Sequence, residues 1–168
     1  MKKWCWLAVL VVIADQAVKA LSSQLRTEVP LIPGVLRFTY AENTGMAFSL
    51  FSGQAWLLGV ISVAAIVIGW LVLRGFRLGT LSRMASMLMR GGAVGNLIDR
   101  FAHGYVVDMF EVLFVRFAVF NVADAALTVG AGLMAISLVL CPEEWKAKQG
   151  GTKDGKPAND GAADRSDG

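Results

Sequence analysis

Two carboxylates stand in apolar surroundings with no lysine or arginine three or four positions away: Asp108 in "GYVVDMF" and Asp124 in "FNVADAAL". A charged side chain at a bilayer centre costs about 2.5 to 3.5 kcal/mol on insertion scales, so such residues are retained for a use. Two carboxylates brought together in a poorly solvated site cannot both ionise, because repulsion and desolvation raise one of them, and the pair holds a shared proton. One member is then a base and the other an acid. That arrangement can deprotonate a water as it attacks an amide carbonyl while the protonated partner supports the carbonyl oxygen, with no covalent intermediate. Amide and guanidinium groups lie at helical spacing around them. Asn121 is three residues before Asp124, and Asn96 shares a face with Asp99 and Arg100. Asn96, Arg100 and Asn121 are therefore candidates to hydrogen-bond an extended substrate or the pair itself.

The elements that must position these groups are membrane helices. Of the 168 residues, 55% are hydrophobic and 17% charged. The mean hydropathy is +0.56. That balance does not suit a soluble domain of this length. Apolar runs at about 4–21, 56–73, 81–98 and 117–140 predict four spans of a mostly helical, polytopic membrane protein, each near the roughly 20 residues a crossing needs. The first run follows Lys2 and Lys3 but lacks a small-residue cleavage site, and reads as a retained span. Lysines and arginines cluster before the first span, between the second and third, and after the fourth. This predicts a multi-pass topology with both termini cytoplasmic. Residues 1–142 form the membrane domain on this reading, and 143–168, rich in Gly, Asp and Lys, a disordered cytoplasmic tail.

Four antiparallel spans bring the unusual polar residues to one side, near the outer leaflet. Asp15 and Lys19 close the first span as an i, i+4 pair, read as an ion pair holding its top. "ENTGMAFS" precedes the second, "GGAVGNLIDR" closes the third and "FNVAD" opens the fourth. Gly91 and Gly95 let a neighbouring helix approach closely. The alternation in "VLRFTY" predicts a short strand pair on the extracytoplasmic surface.

Other chemistries fit less well. No His, Cys or carboxylate group has metal-ligand spacing, so neither metal nor cofactor is expected. His103, the only histidine, reads as a surface residue. A net charge of +3 spread over loops points away from nucleic acid. Cys5 and Cys141 face the reducing side on this topology, so no disulfide is expected. Two rival readings remain: a small ion or proton transporter, since intramembrane carboxylates also mark proton relays, and a serine protease pairing Ser49 with Lys19.

The blocks "DQAVK", "NTGMAFSLF", "GGAVGNLIDR", "GYVVD" and "FNVADAAL", in that order and spacing, resemble the lipoprotein signal peptidases, or signal peptidase II, of bacteria. The resemblance covers almost the whole membrane portion. It implies that Asp108 and Asp124 are the catalytic pair of an aspartic endopeptidase, with Asn43, Gly45, Asn96, Arg100 and Asn121 in or beside the substrate groove. Asp15 matches a motif position in a supporting role, and Lys19 and Asp99 are grouped with it. It further implies residence in the bacterial inner membrane. The substrates would be prolipoproteins carrying a diacylglyceryl cysteine, cut just before that cysteine and presented with membrane lipid, and globomycin would inhibit. The chain departs from the family pattern at Arg90, expected to snorkel toward the cytoplasm, and at Ala125, where a serine is frequent.

Overall fold

The computed structural model describes residues 4–45 and 54–147, so Ser49, Lys2 and Lys3 lie outside the described residues. Four long helices dominate: α1 (Cys5–Ser22), α2 (Ala55–Leu73), α3 (Thr80–Ala102) and α4 (Val122–Leu140). Between α1 and α2 run strands β1 (Val29–Ile32) and β2 (Leu36–Asn43). Between α2 and α3 lies β3 (Phe76–Arg77), and between α3 and α4 lies β4 (Val106–Val112). A 3-10 turn at Pro142–Glu144 leads into β5 (Lys146–Ala147).

Three of the helices, α1, α2 and α4, are long and apolar enough to cross a membrane. Their exposed faces carry Trp6, Ile13, Ile68 and Val139, a surface that suits lipid rather than water. The helix α2 is apolar all round and packs chiefly on α3. The helix α3 is long but less apolar, and its place in the bundle explains why. It packs against each of the other three helices, and its buried residues, Met87 apart, are small or polar: Ser82, Ala85, Ser86, Gly91, Gly92, Gly95, Asn96 and Asp99. A helix surrounded by protein has no need of an apolar stripe facing lipid. A side chain at Gly91 would run into Ala8 and Val11 of α1, and one at Gly92 into Ala123 and Leu127 of α4. These glycines thus set the close approach on both flanks.

The sheet is antiparallel in the order β1-β2-β4. The alternating "VLRFTY" segment pairs on one side with β1 (Val29↔Phe38) and on the other with β4 (Leu36↔Val112). The pair expected from the sequence therefore has a third strand, formed by the segment between the third and fourth apolar runs. A register shift between Phe38 and Ala41 places Ala41 opposite Asp108 and Asn43 opposite Val106.

The fourth apolar run begins at 117, but the helix begins at Val122. Residues 117–121 are extended, with Phe120 bridged to Phe110. The reason is local. Asn121 is the helix N-cap, its Oδ1 accepting from the Asp124 N–H at 2.8 Å while Asp124 Oδ2 accepts from the Asn121 N–H at 3.3 Å. This reciprocal capping box stops the helix from extending backwards. At the opposite end of the bundle, β3 pairs with β5, and Trp145 packs edge-on against Phe76 with ring centroids 5.7 Å apart. Residues 143–147, expected as the start of a tail, are thus folded onto the bundle, whereas 148–168 lie outside the described residues.

Candidate active site

The polar residues singled out by sequence meet where the upper ends of α1, α3 and α4 face the sheet. Asp108 lies on β4 and Asp124 in the first turn of α4, and both line one cavity of about 610 Å³ with Asn43, Asn96, Arg100 and Ala125. The cavity wall is completed by apolar residues, among them Val106, Phe117, Val119, Leu127 and Val129.

Every oxygen of the two carboxylates accepts a hydrogen bond. Asp108 Oδ1 accepts from Asn121 Nδ2 at 2.6 Å and Oδ2 from Asn43 Nδ2 at 2.9 Å. Asp124 Oδ1 accepts from Asn96 Nδ2 at 2.7 Å and Oδ2 from the Asn121 backbone. The amide orientations follow from groups that can only donate. Gly45 N–H donates to Asn43 Oδ1 at 3.0 Å, which turns the Asn43 amino group toward Asp108. Asp124 N–H fixes Asn121 in the same way, and Asn121 Nδ2 also donates to Asn96 Oδ1 at 3.0 Å. Burial pushes the Asp108 carboxyl up to about 6, an effect opposed by the Asn43 and Asn121 bonds and reinforced by the nearby charge of Asp124.

Behind this layer lies a buried ion cluster. Lys19 Nζ contacts Asp15 Oδ2 at 2.7 Å and Asp99 Oδ2 at 2.8 Å, and donates to Asn96 Oδ1 at 3.2 Å. Asp15 is wholly buried, Asp99 is 1% exposed and Lys19 4%, so the expected ion pair at the top of α1 is a three-residue cluster out of contact with water. The carboxylates reach further: Asp15 Oδ1 accepts from Ala123 N–H at 2.9 Å, and Asp99 Oδ2 from Val107 N–H at 3.0 Å. Lys19 Nζ is thus engaged by Asp15, Asp99 and Asn96, and Ser49, its partner in the Ser-Lys reading, lies outside the described residues.

Sequence reasoning missed Gln16, whose Nε2 donates to Asp99 Oδ1 at 2.9 Å and to Asp15 Oδ2 and Gly95 O at 3.3 Å. Its signal was its place inside "DQAVK", one residue after an aspartate on a face that must be buried. Asp99 was grouped with Arg100 on one helix face, but the two diverge. Asp99 turns inward to Lys19, while Arg100 stays on the cavity wall, its Nη1 donating to Asn96 O at 3.4 Å. Arg90 borders a small gap between α2 and α3, well away from these residues. Among the described residues no group of His, Cys, Asp or Glu has the arrangement of a metal site.

A family model described as Signal peptidase (SPase) II matches residues 7–140. The lipoprotein signal peptidase of Lactobacillus johnsonii is 41% identical over 142 residues, covering 82% of this chain and 92% of that protein. That of Photorhabdus laumondii is 41% identical over 158 residues, covering 88% and 94%. Among solved structures, a bacterial membrane enzyme determined by the in meso method at 2.3 Å resolution superposes with a TM-score of 0.76 at 28% identity, covering 89% of this chain and 94% of that one. The matched stretch runs from α1 to the end of α4 and contains every polar side chain of the cluster just described, and with that the chain belongs to the signal peptidase II family.

Proposed function

We propose that this protein is an intramembrane aspartic endopeptidase that removes the signal peptide from diacylglyceryl-modified prolipoproteins, cutting just before the lipidated cysteine. The observation that carries the reading is Asn121. One residue donates to Asp108 through its side chain and is locked to Asp124 through its cap, so the two carboxylates are held about one shared group on the wall of one cavity. In the reaction, the ionised carboxylate takes a proton from water as the water oxygen bonds to the scissile carbonyl carbon. The protonated partner gives its proton to the carbonyl oxygen. The tetrahedral diol then collapses: one of its hydroxyls returns a proton to the carboxylate that gave one, the carboxyl that took the water proton passes it to the amide nitrogen, and the C–N bond breaks. The products are the carboxyl end of the signal peptide and the free amino group of the cysteine. No metal, cofactor or covalent enzyme intermediate takes part.

The same reading places all four long helices across the bacterial inner membrane, with α3 as the shielded fourth span, both termini cytoplasmic and the sheet over the outer leaflet. A lipid-anchored cysteine and an apolar signal segment would then bring the scissile bond to the depth of the pair, and the apolar wall of the cavity suits such a substrate. Asn43, Gly45, Asn96, Arg100 and Asn121 line or support the groove, with Asp15, Lys19 and Asp99 behind them. Globomycin would compete for the same cavity.

The test is incubation of the purified protein with a diacylated lipoprotein precursor. Cleavage is expected before the modified cysteine, with loss of activity in Asp108→Asn and Asp124→Asn and inhibition by globomycin. Retained cleavage by both variants would defeat the assignment. The raised Asp108 carboxyl adds a pH prediction. Asp108 holds the shared proton beside an ionised Asp124, so cleavage should fall as the pH rises through about 6, where the acid of the pair loses its proton. Stability runs the same way. The folded state holds this proton more tightly than the unfolded chain, whose ordinary value is 3.8, so the contribution of Asp108 is full below that value and is lost as pH rises through about 6.

A further inference from the structure

We propose that Lys19 is a positioning residue for the reaction: its one ammonium sets the spacing of the two aspartates by holding, through three acceptors, both of the segments that carry them. This rests on the aspartic reading given above. An ammonium has three protons, and Lys19 has three acceptors, Asp15, Asp99 and Asn96. Each acceptor passes the constraint to a different place. Asp15 holds the N–H of Ala123, the residue before Asp124. Asp99 holds the N–H of Val107, the residue before Asp108. Asn96, oriented because its oxygen must face the ammonium, turns its amino group onto Asp124 and offers the same oxygen to Asn121, which bonds Asp108.

Backbone and side chain of both aspartates are thus tied to one atom on a third helix. An ion pair serving only to hold α1 needs one carboxylate; here two are buried with a single cation, and each, besides accepting from Gln16, also accepts the N–H of the residue before a catalytic candidate. A lysine fits this apex better than an arginine does. Three protons on one nitrogen can reach three converging acceptors, while a planar guanidinium spreads its donors over a fork.

Among the described residues the charged groups around the pair are Lys19 and Asp15 from α1, Asp99 and Arg100 from α3, the two aspartates themselves on β4 and α4, and, in a second cavity that Asp108 borders, Glu42 on β2, Glu111 on β4 and Arg116. The charge of Lys19 holds the Asp108 carboxyl down against its burial, so losing that charge moves the alkaline limb of activity, where Asp108 gives up the shared proton, to higher pH.

The experiment compares wild type, Asp124→Asn, Lys19→Arg and Lys19→Met on a diacylated precursor, with kcat expressed per folded molecule and thermal melting measured alongside. Lys19→Arg keeps the charge and is expected to fold, yet to lose about tenfold or more in kcat with KM changed by less than about threefold, since displacement of reacting groups by about 1 Å costs on that scale or more. Lys19→Met is expected to show the same loss and an alkaline limb displaced upward. If Lys19→Met does not fold, Lys19→Arg decides alone. A merely structural lysine predicts a lowered melting temperature with kcat per folded molecule and the alkaline limb both unmoved, and that result would overturn the inference while leaving the dyad standing. An inert wild type, or an active Asp124→Asn, would remove the aspartic reading and this inference with it.

Discussion

The helices α3 and α4 meet twice over buried polar groups, once beneath the sheet and once at the opposite end of the bundle, and the two meetings have different chemistry. At the far end, Ser82 Oγ and Ser137 Oγ lie 2.5 Å apart, both fully buried, and Trp145 Nε1 donates to Ser137 Oγ at 3.1 Å. The groups are neutral and short, and they satisfy one another. Under the sheet the same helices present Asn96, Arg100 and Asp124 beside a space of about 610 Å³. Neutral hydroxyls fasten two helices. Charges that are costly to bury, arranged around a void, are the sign of a site with a reaction to run.

The largest effect that should sharpen this contrast is Asn121→Ala. It removes the donor to Asp108, the donor to Asn96 and the N-cap of α4 together. Precursor cleavage should drop by about 100-fold or more, as for loss of a preorganised donor, and stability by about 1 kcal/mol for the lost cap; denaturation in detergent with a parallel activity assay reads both. Next comes Gly95→Ala. Its Cβ would sit 2.6 Å from Asp15 Oδ2 and 3.3 Å from Ala123 Cβ, so α1, α3 and α4 must separate, at about 1 to 3 kcal/mol of overpacking. Its kcat should fall along with its melting temperature. The smallest effect on activity belongs to the far end. Ser137→Ala deprives Trp145 and Ser82 of a partner and should cost about 1 to 3 kcal/mol of stability with kcat per folded molecule unchanged. A large catalytic defect there would erase the distinction between the two ends.

The sequence made part of this legible. Asp108 and Asp124 stood out because nothing at helical spacing neutralised them, and Asn121 and Asn96 stood out as amides without a structural need. The helices α1, α2 and α4 were readable from hydropathy alone. What stayed hidden depended on contacts distant in sequence. The strand β4 was not evident, since "VVDMFEV" shows no alternation, being buried on both faces where it passes under the helices. The true start of α4 was masked by the apolar residues 117–120, because hydropathy does not register a capping box. Asp99 and Gln16 found their roles only when α3 was packed against α1, a partner some 80 positions away in the chain.

The polar, small-residue face of α3 also bears on how the protein enters its membrane. A helix offering Asn96, Asp99 and a row of serines and glycines gains little from lipid by itself. On the proposed four-span topology, its acceptance by the bilayer must be borrowed from neighbours. The chain emerges from the ribosome with α1 and α2 already made, so Lys19 is on hand when Asp99 arrives, whereas the flank that meets α4 stays bare until the last helix is complete. On the proposed function, biogenesis and catalysis would draw on the same side chains, and truncation before α4 would leave a carboxylate-bearing groove open to lipid rather than a smaller working enzyme.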